Sequence, residues 1–574
     1  MRVLTLLSVF LYFFSFFLAK GQSPDYAWLR TTNTPSSGGD DAVIKKIKVW
    51  KAQNRILVLG EFYETLAIGN VNLISKGGKD IFFAMYHTDG TFEWAKSFGT
   101  PDEEVAEALA IDESNEHFFI GGSFGDGPDI SVMIVVPNNA LNQSPAPYKA
   151  GFVTSFSMDG QFRFCQSFKS PGNAEVKALA VDRLGSSFYT AGNCNGDLTL
   201  PNQGLLQGGN TQTGFLCKSD SAGNPTATAI TQSVSVSGFV AGDCFFNALD
   251  VAPDGSVIFG GAYDGGHSIL TFPVNTDGFG FTNAFVAKTN GNFASLDVEV
   301  WGISNQVKDD AVLDLSAAHN GFVYTAGVYG EADQFNNDVQ RMEIKAFNTS
   351  NLNNSWTIRS LNNYTSGNTD FSRASGIEAN ADGFIWVTGT FYDTLSAGNF
   401  GVNSPYSNSY NQNAFVMQLN PSGNVNWISA PLPDNSNNNS IGHSVATDGY
   451  FGNVYYAGKM YGKNNFGPLS ANLNLSSFFL VRMGNVGLSV AENNLKAPDF
   501  SVFPNPARQS ISIQPLSAQA VYSIHDLSGR CIISFSGSAL TSQPIDLSFC
   551  SPGMYLMTKL ENGSLSRQKF MIAR

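Results

Sequence analysis

The sequence predicts an all-β chain: a seven-bladed β-propeller closed by its own N-terminal strand, followed by a small C-terminal β-sandwich. The first observation is composition. Hydrophobic residues make up 43% and charged residues 14% of 574 positions, with 57 Gly, 46 Phe and 19 Tyr. That balance is too apolar for disorder and favours strands and turns over charged amphipathic helices. The second is a strand motif that returns seven times. The third is a segment near the start that supplies the strand the last repeat lacks.

The motif is an alternating strand ending in Gly, a polar or small residue and a third residue that is most often aromatic. It reads RILVLGEF at 55–62, HFFIGGSF at 117–124, SFYTAGNC at 187–194 and SVIFGGAY at 256–263. It continues as FVYTAGVY at 322–329, FIWVTGTF at 384–391 and NVYYAGKM at 453–460. The aligned glycines Gly60, Gly122, Gly192, Gly261, Gly327, Gly389 and Gly458 are 62 to 70 residues apart. An alternating strand such as EALAIDES or KALAVDRL precedes each copy, and a third strand such as DIFFAMYH or NAFVMQLN follows an insertion. A turn such as Thr88-Asp89-Gly90 then leads to a fourth strand, which often carries an aromatic: Trp94, Phe164, Trp356, Trp427. One four-stranded blade has two apolar faces and cannot bury both alone; radial stacking buries them against neighbours. Gly within the second strand fits an inner position where backbones approach closely.

The seventh copy stops at Arg482-Met483-Gly484 without a fourth strand. Residues 25–30, DYAWLR, have no repeat of their own and match TFEWAK at 91–96, with Trp28 over Trp94. Residues 26–32 are therefore expected to complete blade seven. The units resemble the SBBP-type β-propeller repeats of bacterial surface proteins, over roughly 26–486. That resemblance implies a fold and no activity.

The first 21 residues read as a signal peptide: Arg2, an apolar run from Val3 to Leu18, then Ala19 and Gly21, with cleavage between Gly21 and Gln22. The formal net charge of −14 gives a surface that repels phosphate backbones, so nucleic acid is not an expected partner. Six cysteines suit an oxidising compartment: Cys165, Cys194, Cys217 and Cys244 in the middle, Cys531 and Cys550 near the end. Pairing within each group is expected, with connectivity open. No CxxC occurs.

Residues 22–486 are assigned to the propeller, 487–498 to a linker and 499–574 to the C-terminal domain. The last segment opens with Phe503-Pro504-Asn505-Pro506-Ala507 and continues through Val521-Tyr522-Ser523-Ile524, a turn containing Gly529, and Ile545-Asp546-Leu547. Gly553-Met554-Tyr555-Leu556 and Lys569-Phe570 complete it. It resembles the type A C-terminal sorting domain of the Bacteroidetes type IX secretion system. The resemblance implies export through the type IX outer-membrane translocon and release or attachment at the cell surface, with Pro504, Asn505, Pro506, Gly529, Gly553, Tyr555 and Lys569 as the sorting motif.

Catalytic, cofactor and metal residues are not indicated. Gly121-Gly122-Ser123-Phe124-Gly125 satisfies GxSxG, but it is the second copy of the repeat strand rather than a strand-to-helix elbow. The six histidines (His87, His117, His267, His319, His443, His525) are scattered, without HExxH or HxH, and no D-x-D-x-D-G loop occurs. Acidic pairs such as Asp309-Asp310 and Glu103-Glu104 read as solvated loops between blades. The functional surface is expected among the insertions at 63–79, 125–150, 195–212, 264–282, 330–341, 392–412 and 461–476. Phe400, Tyr406 and Tyr410 would either stack on a glycan or protein ligand or pack the insertion onto its own blade. The expectation is a monomeric, non-catalytic binding, adhesion or scaffold module; the alternative is a secreted polysaccharide- or peptide-degrading enzyme with its site at the propeller mouth.

Overall fold

The computed structural model describes residues 24–32, 42–125, 133–136, 139–143, 148–182, 186–200, 204–209, 211–233, 242–270, 272–275, 281–302, 309–332, 338–361, 371–381, 383–406, 411–449, 453–484, 500–526, 531–537, 544–548, 550, 553–561 and 564–573. These residues are all-β apart from a 3-10 turn at Lys51–Gln53. Among them no helix is long and apolar enough to cross a membrane. Gly21, Gln22, Tyr410, Gly529 and the 487–498 linker lie outside the described residues.

The repeat units fold as antiparallel four-stranded sheets whose strands follow chain order. Sheet 1 comprises Ala42–Trp50, Arg55–Phe62, Asp80–His87 and Phe92–Phe98. Sheets 2, 3 and 4 begin at Val105–Asp112, Ala174–Val181 and Cys244–Val251; sheets 5 and 6 begin at Ala311–Ala317 and Ser372–Ala379. Sheet 7 joins Asn439–Thr447, Val454–Phe466 and Leu469–Gly484 to the N-terminal strand Asp25–Thr31. The first strand of each sheet packs beside that of the next, and the first strand of sheet 7 packs beside that of sheet 1.

The repeat glycine has a structural cause. In each sheet the first strand carries a one-residue bulge against the second, at Lys45, Glu107, Lys177, Asn247, Leu313, Ser375 and His443. The bulge drives the carbonyl oxygen two residues earlier toward the glycine of the second strand. A Cβ at any of the seven glycines would lie 1.8–2.2 Å from that oxygen, far inside van der Waals contact.

The N-terminal strand pairs antiparallel with Leu469–Gly484, Tyr26 opposite Met483 and Thr31 opposite Phe479. A bulge at Ala27 precedes Trp28 as one at Glu93 precedes Trp94, so the two tryptophans hold the same register. Trp28 Nε1 donates to Thr88 O at 3.1 Å, and the ring lies against Gly90 in the sheet 1 hairpin turn. Phe164 of sheet 2 lies likewise against Gly223 of sheet 3. Trp356 of sheet 5 lies against Gly423 of sheet 6 and donates to Pro421 O at 3.1 Å. Between sheets 7 and 1, Phe478 stacks on Phe82 with centroids 5.8 Å apart, in a core with Val58, Tyr455 and Leu480. Burial of each such side chain contributes roughly 1.5–3 kcal/mol.

The C-terminal part forms two sheets over one core. Ser501–Phe503, Ser510–Gln514 and Ile545–Asp546 make one; Cys531–Ser536, Val521–Asp526, Gly553–Glu561 and Ser564–Ile572 make the other.

Three expectations are corrected. Cys165, Cys194, Cys217 and Cys244 form no disulfides. Cys165 faces the core of sheets 1 and 2, Cys194 and Cys217 that of sheets 2 and 3, and Cys244 that of sheets 3 and 4. Burial pushes the thiols of Cys165 and Cys217 up to about 12 and that of Cys194 to about 11. The acidic pairs are not wholly solvated, because Glu104 is 0% and Asp310 2% exposed. The insertions, expected as long binding loops, carry strand pairing among the described residues: Thr65–Ile68 with Val71–Ile74, and Thr394–Ala397 with Phe400–Asn403, are short hairpins. In sheet 7 the second and third strands simply run on through the insertion.

Candidate functional site

The inner strands surround two connected cavities of about 400 and 460 Å³, which share Lys46, Lys177 and Asn247 as lining. The larger is lined by all seven bulge residues. A bulge leaves one side chain outside the ladder and re-aims it, which explains why these residues face the channel.

Charge in the channel is largely paired across it. Lys46 Nζ lies 3.7 Å from Asp314 Oδ1, Lys48 Nζ 3.2 Å from Glu378 Oε2 and Lys51 Nζ 3.9 Å from Glu378 Oε1. Lys177 Nζ lies 3.1 Å from Glu107 Oε1 and 2.8 Å from Glu175 Oε2. The remaining oxygens knit sheet to sheet: Asp314 Oδ2 accepts from Ile377 N at 3.1 Å, and Asp250 Oδ2 from Ala317 N at 2.8 Å. Burial raises the Glu107 carboxyl, but Lys177, Lys45 and Lys46 outweigh it and hold the group below its ordinary value. Glu378 is the main cause of a raised Lys48 pKa. Among the described residues no group of three His, Cys, Asp or Glu side chains is placed to hold a metal ion.

The larger cavity is the more basic. Lys45, Lys46, Lys177, Arg373 and His443 line it, with Glu107 as its carboxylate. Burial, then Lys45 and Arg373, push the His443 imidazole down to about 3, so it is neutral at physiological pH. Phe371 and Gln412 border the cavity beside the sheet 6 insertion. Phe371 packs on Tyr392 at 4.9 Å, and Gln412 Nε2 donates to Tyr392 OH at 3.4 Å.

Of the aromatics singled out in sequence, Phe400 packs against the sheet 6 core with Val402. Tyr406 OH donates to Asp434 O. Ser123 of the GxSxG match is buried within a strand, with no hydrogen bond to its Oγ. No motif singled out the channel residues, although each bulge residue stands 14 or 15 positions before its repeat glycine. In the C-terminal domain, Asn505 Oδ1 accepts from Met571 N at 2.9 Å and Ala507 N donates to Met571 O at 2.7 Å. The opening motif is thus bonded to the closing strand. Pro504, Asn505, Pro506, Gly553 and Lys569 are exposed, while Tyr555 is buried and stacks on Phe570 at 5.9 Å.

Residues 501–573 match the family model of the secretion system C-terminal sorting domain. The domain marks the chain as cargo of the type IX secretion machinery, exported to the cell surface or the extracellular space. No curated protein matches the chain. Among solved structures, a protein of unknown function from Dyadobacter fermentans DSM 18053 is 10% identical, covering 63% of this chain and 94% of its own, with a TM-score of 0.31. The Neurospora crassa Pan2 WD40 domain is 10% identical, with coverages of 80% and 96% and a TM-score of 0.35. PorZ of Porphyromonas gingivalis, described as a surface component of the type-IX secretion system, is 10% identical, with coverages of 95% and 100% and a TM-score of 0.15. At these scores none of the three carries weight for fold or function.

Proposed function

We propose that this cargo is a monomeric seven-bladed β-propeller, closed by its N-terminal strand, that acts outside the cell as a non-catalytic binding or scaffold module. The blade count is supported by six four-stranded sheets and a seventh of five strands, with neighbouring inner strands. Support also comes from Trp28, which meets the sheet 1 turn as Trp356 meets that of sheet 6. The observation that carries the non-catalytic reading is the pairing of channel carboxylates with lysines. Hydrolysis of a glycosidic bond asks for two carboxyl groups, one of them held protonated. Glu107 is instead held ionised by Lys177, Lys45 and Lys46.

Incubation of the mature chain with mixed polysaccharides and peptides tests this reading, with new reducing ends and new amines as readouts. No release is expected. Turnover that disappears in Glu378→Gln would establish the hydrolase alternative instead. For export, deletion of 499–574 is expected to leave the protein in the periplasm, and undiminished surface display would remove the sorting role.

A further inference from the structure

We propose that the larger channel cavity binds the anionic group, carboxylate or sulfate, of an acidic saccharide, with Arg373, Lys45 and His443 as its contacts. The inference rests on the binding-module reading above and names the ligand class of that same channel.

Arg373 is the decisive residue. It lines the cavity, is accessible within it, and its guanidinium makes no hydrogen bond or ion pair among the described residues. Surrounding protein lowers its pKa, so a guanidinium there is short of compensation. A planar guanidinium binds oxyanions through two parallel N–H donors, and the contact strengthens where water is scarce. Lys45 is only loosely held, with Glu61 Oε1 3.9 Å away. Glu61 is engaged elsewhere: Oε2 lies 3.0 Å from Lys79, and Oε1 accepts from Ala106 N at 2.9 Å. His443, in the field of both cations, offers a neutral imidazole. Thr390 Oγ1, in a side chain only 1% exposed, lines the same cavity and has no hydrogen-bond partner.

The chain's charge of −14 repels anions at a distance, so this is a local concentration of positive charge on an acidic molecule. The neighbouring groups favour a sugar over an acidic peptide. Hydroxyls and amides of Thr390, Ser375, Gln412 and Asn247 line the wall together with Phe371, and neutral donors and acceptors beside an aromatic ring match the hydroxyl-rich face of a sugar. The volume of about 460 Å³ falls within the range of small-ligand sites.

Isothermal titration calorimetry of the mature full chain at low salt tests the proposal. The probes are oligogalacturonate, a chondroitin sulfate oligosaccharide, an uncharged dextran oligosaccharide and polyglutamate. One or both acidic sugars should bind while dextran does not, and Arg373→Gln and Lys45→Gln should each weaken binding by about tenfold or more with an unchanged melting temperature. If Arg373→Gln fails to fold, Lys45→Gln carries the test. Absence of heat with both acidic sugars, wild-type affinity in the folded variants, or equal affinity for polyglutamate overturns the proposal. New reducing ends in the same samples would sink the non-catalytic reading instead. Silence in both heat and turnover removes the ligand assignment alone.

Discussion

Two positions recur once in every sheet, and they behave oppositely. At the second-strand position all seven residues are glycine; at the facing bulge the seven positions hold six residue types: Lys45, Glu107, Lys177, Asn247, Leu313, Ser375 and His443. The glycine meets a carbonyl oxygen of its own sheet, and that contact is the same wherever the backbone is the same. The bulge side chain meets the channel, where the backbone imposes no identity. Uniformity therefore reports on folding, and variety marks where this chain differs from a bare scaffold.

Substitution at the two positions tests that contrast most strongly. Gly261→Val would place a Cβ 1.8 Å from Phe245 O, and loss of the soluble folded chain is expected. Leu313→Ser at a bulge should shift stability by no more than ~1 kcal/mol; equal damage from both would break the comparison. Trp28→Ala should lower stability by about 3 kcal/mol in thermal unfolding, because the ring is 8% exposed and bridges two sheets. A surface-like effect would mean the N-terminal strand is dispensable.

A smaller effect concerns residues that precede first strands. Burial raises the Glu104 carboxyl to about 8 from an ordinary 4.5, so the folded chain holds a proton that the unfolded chain releases. Stability then falls as pH rises from about 4.5 to about 8 and levels off above. Glu104→Gln should raise stability by roughly 2 kcal/mol at pH 8 and do little at pH 4, read by melting temperature. Asp310, raised by burial to about 7, faces the same way and accepts from Gly330 N at 2.7 Å as Glu104 accepts from Thr100 N at 2.9 Å, so Asp310→Asn should also gain stability as pH rises toward 8. Smallest is Glu378→Gln, which unpairs Lys48 and Lys51 and should cost below ~1 kcal/mol, vanishing at high salt.

The repeat and the position of Trp28 were legible in sequence, because each rests on a backbone register that restricts residue type. The channel was not. A bulge resets the alternation of inward and outward residues, so Lys45 and His443 occur at positions that a strict two-residue period assigns to a different face. Glu104 and the four central cysteines misled for a related reason, since residue type says little about whether a connection is covered or a thiol has a facing partner.

The pairing of Tyr26 with Met483 joins residues from opposite ends of the exported cargo. During synthesis the first-made strand must wait, unpartnered, until nearly the whole chain has emerged, and contacts so distant in sequence form late. Until it pairs, the Leu469–Gly484 edge of the last sheet stays open to other strands. A bare strand edge of that kind is a template for pairing with another chain, so the Tyr26–Met483 closure also removes a site of aggregation.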